Sequence, residues 1–199
     1  MIEENNAANG ETSQEKAKQF EDAMQLINEL FLEEAPAEEI KDNLYHINKD
    51  EDDTFQFINF LVDKEWYGIA IIKVKEIIKV PQITYLPSSP SFIAGICNLR
   101  GNILTVINTK RIFGLSDTPI TTDSRVVVVD SGKITLGFLV DAVSEVVELP
   151  KSAIDDPLVT LEGEKGEYII GEAKLEDKLV AVLDIDKLIY SQCVLSSPD

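Results

Sequence analysis

The 199-residue chain has two cysteines, one histidine, one tryptophan, and 18 lysines and arginines against 36 aspartates and glutamates. Each scarcity excludes something. Cys97 and Cys193 are far apart and form no CxxC pair or disulfide framework. No secretory leader pattern opens the chain, so a reducing cytoplasm is expected. Cys97 lies in an apolar run and reads as a small buried hydrophobe. His46 stands alone among acids and reads as solvated, so Cys/His metal clusters and HExxH chemistry have no residues to use. No Gly-rich phosphate loop or GxSxG elbow occurs. Paired carboxylates such as Asp130 and Asp141 are the remaining catalytic route, and acids are too common here for a pair to be a signal. Apolar runs such as Val126 to Val129 are short against the ~20 residues a membrane-spanning helix needs. The net charge of −18 leaves no basic stripe for nucleic acid and disfavours an anionic membrane surface.

The charge is uneven. Residues 1–53 carry 16 acids and 4 bases, and residues 54–199 carry 20 acids and 14 bases. After a polar start, Thr12 and Glu15 have capping-box spacing. Ala17, Phe20, Ala23, Met24, Ile27, Leu30 and Phe31 then recur at three and four, which predicts an amphipathic helix ended by Pro36. A weaker helix, from Glu38 to about Ile47, precedes an acidic linker. Residues 1–53 thus read as an acidic helical arm whose apolar stripe needs a surface. Two readings stand: the stripe packs on the main domain, or it docks into an additional partner.

What is abundant is repetition. Shifted by 69, YGIAIIKVKEIIKVP (67–81) falls on LGFLVDAVSEVVELP (136–150) without a gap, and FQFINF (55–60) lies over SRVVVV (124–129). Shifted by 76, FIAGICNLRGNILTVINTKRIF (92–113) falls on YIIGEAKLEDKLVAVLDIDKLI (168–189). The repeat units are about 54–113 and 123–189, with a tail from 191 to 199. Each reads as strand, turn, strand, short helical turn, loop, strand, hairpin, strand, short helix. The helical turns are predicted from Val74, Ile77 and Ile78, and from Val143, Val146 and Val147, spaced i, i+3, i+4; Asp141 is placed to cap the second. Short strands with close turns, twice over, predict a mainly β protein of two barrels with about five strands each.

In the first hairpin, Asn98-Leu99-Arg100-Gly101-Asn102 sets an arginine between apolar strands. Gly101 reads as a turn residue with positive φ. The second copy has Glu176 where the first has Arg100, so the hairpin itself does not require arginine.

The string GICNLRGNILTVIN resembles the G-apolar-x-N-L-R-G hairpin of CheW-type chemotaxis coupling proteins. YGIAIIKVKEI, LVDAVSEVVEL, YIIGEAKL and LVAVLDIDKLI follow in the family's order, so the resemblance spans about residues 54–190. It implies two SH3-like five-stranded barrels and an adaptor without catalysis or cofactor, cytoplasmic and recruited to membrane receptor arrays. The implied partners are the cytoplasmic tip of a methyl-accepting chemoreceptor and the regulatory domain of a CheA-type histidine kinase. Neither nucleic acid nor membrane insertion is implied. Carried onto this chain, the receptor groove is lined by Ile71, Val74, Ile77, Val143 and Val146. The kinase contact maps to Ala94, Gly95, Asn98, Arg100 and Gly101. Glu76 matches the acidic partner of the hairpin arginine, which implies an ion pair; from the residues alone, Arg100 is equally a solvated tip charge. Thr105, Asn108, Thr109 and Lys110 replace the family's proline, aspartate, leucine and arginine beside the hairpin. With the long arm, these departures leave a second expectation open, a variant scaffold of a non-flagellar array (twitching or another output).

Overall fold

The structure, a computed structural model, describes residues 54–87, 89–132, 134–157, 168–175 and 178–189. The predicted arm helices, His46, the tail with Cys193, and the second hairpin tip at Glu176 and Asp177 lie outside these residues.

Eleven strands are described: β1 (Thr54–Val62), β2 (Glu65–Ala70), β3 (Val74–Lys79), β4 (Ile93–Leu99), β5 (Asn102–Asn108), β6 (Arg125–Asp130), β7 (Thr135–Val140), β8 (Ala142–Pro150), β9 (Ile154–Asp155), β10 (Ile169–Leu175) and β11 (Lys178–Leu183). Short helices follow β5 (α1, Thr109–Ile112) and β11 (α2, residues 185–189). The fold is mainly β, in two sheets, as the repeat predicts. One sheet runs β8-β1-β2-β11-β10-β9, the other β3-β6-β7-β5-β4. Each has five long strands. The sixth, β9, has two residues, and its counterpart in the other sheet is a single bridge between Thr84 and Ile96.

The sheets do not correspond to the repeats. The first repeat gives β1 and β2 to one sheet and β3, β4 and β5 to the other; the second gives β6 and β7 to the sheet of β3, and β8 to β11 to the sheet of β1. The exchange is sealed by two parallel pairings at equivalent positions: Val182 opposite Gly68, and Val106 opposite Gly137. The cores follow the same exchange. Cys97, Leu104 and Val106 pack with Val126 and Val128 of the other repeat; Ala173, Val180 and Val182 pack with Phe57. Each core therefore buries apolar surface that one repeat cannot supply alone.

The predicted helical turns at Val74 and Val143 are strands. β3 and β8 are each an end strand of their sheet, paired with β6 and β1. An edge strand with apolar residues on both faces produces the i, i+3, i+4 spacing without a helix. Ile78 and Val147 pack toward the cores, while Ile77 and Val146 point outward. Only a 3-10 turn, Ile71–Lys73, precedes β3. Asp141 caps no helix; its carboxylate accepts the Asp63 backbone N–H and pairs with Lys110.

Two glycines let each sheet roll up. After β3 the chain crosses β4 so closely that a Cβ on Gly95 would stand 2.2 Å from the Thr84 carbonyl oxygen. Gly171 is crowded in the same way by Ile154 and by the Asp155 carbonyl oxygen. Both lie at register shifts of their strands, where an extra residue bends the strand.

Candidate docking surfaces

The hairpin joining β4 and β5 has a two-residue tip, Arg100 and Gly101, closed by the Leu99–Asn102 pair. Their φ values are 54° and 89°, the positive pair that a tight hairpin of matching twist requires. Glycine takes this conformation freely, whereas an L side chain strains by about 1–2 kcal/mol. The Asn98 side chain accepts the Gly101 N–H at 2.8 Å and steadies the tip. Arg100 Nη2 reaches Glu76 Oε2 on β3 at 2.8 Å, with Arg100 still 78 % exposed. The contact is a single donor to a single oxygen, not a two-pronged clamp. Arginine is thus held in a costly conformation, open to solvent, for a pair worth about 0–1 kcal/mol.

Of the five residues expected at the kinase contact, Asn98, Arg100 and Gly101 are exposed at the tip. Gly95 is buried beneath Thr84, and Ala94 packs against the core. Of the five groove residues, Ile71 lies in the 3-10 turn, Val74 and Ile77 on β3, and Val143 and Val146 on β8. Ile77 is 38 % and Val146 53 % exposed. No backbone pairing joins the two strands, which belong to different sheets. Each begins immediately after the chain has crossed from one sheet to the other. Ile72, in the same turn as Ile71, is more exposed than any of them at 87 %; its place in an apolar run hid it from sequence reading.

Three of the four departures beside the hairpin lie inward, and Asn108 is half-buried. Thr105, Thr109 and Lys110 are buried. Asn108 caps α1 by accepting the Lys110 N–H at 3.1 Å, and its amide donates to Asp117 at 2.8 Å. An aspartate there would face Asp117 charge to charge, which explains the neutral amide. Asp117 is gripped by Arg111 through Nε and Nη2, at 2.6 Å for the shorter Nη2 contact. That hydrogen bond holds the Asp117 carboxyl below the usual carboxylate range. In the second copy Asp184 takes the capping place and accepts the Lys187 N–H at 3.0 Å.

Two lysines form ion pairs beside the short helices. Lys110 Nζ meets Asp141 Oδ2 at 2.7 Å with the lysine side chain only 8 % exposed, and also donates to Thr118. Lys73 Nζ meets Asp186 Oδ2 at 2.8 Å.

Asp130, the candidate pair's first member, ends β6 beside Thr135 at the start of β7, and Asp141 follows the far end of β7. Asp130 is bound to Lys75 at 2.7 Å and accepts the Gly132 N–H. Those two bonds, the lysine's first, hold its carboxyl below the usual range. The two acids share no site. Trp66 lies beneath the Lys178 ammonium, 4.2 Å from the ring centre, and Tyr67 is buried with its hydroxyl on Glu65 at 2.5 Å. Burial first, then that carboxylate, pushes the phenol well above its ordinary value. Cys97 is buried, and burial raises its thiol. Among the described residues, no three His, Cys, Asp or Glu side chains are grouped to hold a metal, and no helix is long and apolar enough to cross a membrane.

The family profile of the CheW-like domain matches residues 56–193. The chain is 34% identical over 140 residues to the chemotaxis protein CheW of Klebsiella aerogenes, covering 69% of this chain and 82% of that one. It is 30% identical over 141 residues to the CheW of Helicobacter pylori, covering 71% and 85%. Among solved structures, the scaffolding protein TtCheW of Thermoanaerobacter tengcongensis superposes with a TM-score of 0.61 at 34% identity, over 66% of this chain and 89% of that one.

Proposed function

The chain belongs to the CheW-like family, and from that premise we propose that it is a non-catalytic adaptor of bacterial chemotaxis, coupling chemoreceptors to a CheA-type histidine kinase. Relatives at about a third identity are named chemotaxis proteins, and the superposed structure is a scaffolding protein. The observation that carries the reading is the pair of edge strands β3 and β8, whose outward faces hold apolar Ile77 and Val146. Ile77 stands between Lys75 and Lys79, and Val146 between Ser144 and Glu148, so each edge is blunted against strand pairing and still offers one apolar side chain in a polar rim, which suits a docked partner. In this reading the receptor's cytoplasmic tip lies against Ile71, Val74, Ile77, Val143 and Val146.

The kinase regulatory domain meets the β4–β5 hairpin. Asn98, Arg100 and Gly101 make the contact, while Ala94 and Gly95 shape the hairpin beneath it. The strained, exposed arginine supports this assignment, since its pair with Glu76 is too weak to repay the strain. The protein works in the cytoplasm and joins the membrane through its receptors.

A second reading keeps the adaptor but sets it in a non-flagellar array, with an additional partner for residues 1–53. The excess of acids in that arm, 16 against 4 bases, favours a basic partner surface. Co-purification of the native kinase and receptor with the full chain tests both readings. The adaptor reading requires that both be retained. Loss of a third protein on deleting residues 1–53, with kinase and receptor kept, favours the variant scaffold; failure to retain either kinase or receptor counts against the adaptor.

A further inference from the structure

The described chain passes between the sheets at two places only, from β2 to β3 and from β7 to β8. An ion pair stands at each. At the first crossing, Lys73 is bound by Asp186 of α2; at the second, Asp141 is bound by Lys110 of α1. The strand geometry is the same twice, with the crossing residues one step apart in the repeat: Lys73 matches Ala142, and Asp141 matches Ile72. β11 runs parallel beside β2, so α2 emerges at the corner where β2 leaves its sheet. β5 runs parallel beside β7, so α1 emerges where β7 leaves.

The polarity, however, is reversed. Lys110 and Asp186 occupy the same position of the repeat, 76 residues apart, with opposite charges. Their partners, Asp141 and Lys73, are opposite in turn. Consider the arrangement in which each repeat kept its own strands: Lys110 would then meet Lys73, and Asp186 would meet Asp141. Both contacts would be like-charged. In the exchanged arrangement both are attractive. Two similar repeats compete for each other's places, and a charge pattern that repels the wrong partner is an economical way to decide between them.

We propose that Lys73, Lys110, Asp141 and Asp186 form two clamps of opposite polarity that select the exchange of strands between the repeats and fix the two crossings. Because β3 and β8 begin at those crossings, Lys110 and Asp186 are positioning residues for the docking strands; this second clause rests on the docking reading above. The Asp141 carboxylate also accepts the Asp63 N–H at 2.6 Å, which fastens the second crossing to the β1–β2 turn of the other sheet.

The test keeps composition constant. In the full-length protein, nitroxide labels on Gln56→Cys of β1 and Lys79→Cys of β3, with Cys193→Ser, report the distance between the sheets by pulsed electron resonance. Lys110→Asp with Asp186→Lys makes both clamps repulsive without changing net charge. It should broaden or shift the distance distribution and weaken binding of a receptor-tip fragment at least tenfold. Adding Lys73→Asp and Asp141→Lys restores both attractions with reversed polarity; the Asp63 N–H loses its acceptor, so the parent distance distribution should return with a lower melting temperature, and most of the affinity with it. A folded double variant with the parent distribution overturns the proposal, as does a quadruple variant that fails to recover it. Pairs that merely stabilise would lower the melting temperature and leave the distances alone. If the double variant does not fold, the quadruple decides alone: recovery supports the clamps and failure overturns them. A changed distance with unchanged receptor affinity overturns the positioning role. The distance measurement uses no receptor, so an error in the docking reading shows separately, as a parent protein that does not bind.

Discussion

The two repeats agree where the fold needs them and part where it does not. Cys97 and Ala173, Leu104 and Val180, Val106 and Val182, and Val126 and Phe57 occupy matched places in two cores. Gly95 and Gly171 meet the same kind of backbone crossing, and Asn108 and Asp184 cap the same short helix. The first hairpin tip departs from this agreement. It carries Arg100 in a left-handed conformation, paired weakly and left open, where the second copy has Glu176. Shared positions are those the sheets consume in folding. The unshared, exposed, strained position is where a partner is expected.

The largest effect follows from the exchange. Each core needs residues from both repeats, so residues 54–113 or 123–189 alone should lack cooperative unfolding by calorimetry, and mixing the two should restore it. A single repeat that melts cooperatively would break the equivalence of core and exchange.

Next come the paired glycines. Gly95→Ala and Gly171→Ala each push a Cβ into backbone, at 2.2 and 2.8 Å, and each should cost roughly 2–4 kcal/mol in denaturant unfolding. Tolerance of one and not the other would show that the two crossings are not equivalent.

The ion pairs sharpen the contrast between interior and tip. Lys110→Met leaves Asp141, whose side chain is 27 % exposed, without its buried partner and should cost about 1.5–3 kcal/mol, less than a fully buried pair. Arg100→Met at the exposed tip should cost about 0–1 kcal/mol, and Arg100→Gly should be neutral or stabilising because the left-handed strain is relieved. Equal costs at the two sites would remove the distinction.

Smallest is the acid response. Asp117 and Asp130 have folded pKa values below the unfolded value of about 3.9. Their stabilisation is therefore complete above that value and is lost as pH falls through the lower folded values. Asp117 is exposed and Asp130 is half-buried, so the loss should be slight. Asp117→Asn and Asp130→Asn should each flatten the acid limb of the stability curve below about pH 4, with no change at pH 7 beyond that of a surface pair. An unchanged acid limb would contradict this.

Much of the architecture was legible in the sequence because burial leaves a periodic record. The 69- and 76-residue shifts align the positions that later prove to be core, and the tip glycine announced its own geometry. Strand exchange left no such record, since a repeat reads the same whether it pairs with itself or its neighbour. The one trace was the inverted charges of Lys110 and Asp186, visible at the matched position but meaningless without the crossings. Val74, Ile77 and Ile78 misled for a physical reason. An edge strand whose inward residues pack on a core and whose outward face carries one apolar residue among charges, Ile77 between Lys75 and Lys79, mimics helical spacing.

Val146 is half exposed on β8, so Val146→Lys should leave the melting temperature nearly unchanged. Titration calorimetry of this variant with a receptor-tip fragment and, separately, with the kinase regulatory domain tests receptor docking on this strand directly. Receptor binding should be lost, a change of at least 2 kcal/mol or about thirtyfold, while kinase affinity is retained. Receptor binding at the parent affinity by the folded variant would contradict it.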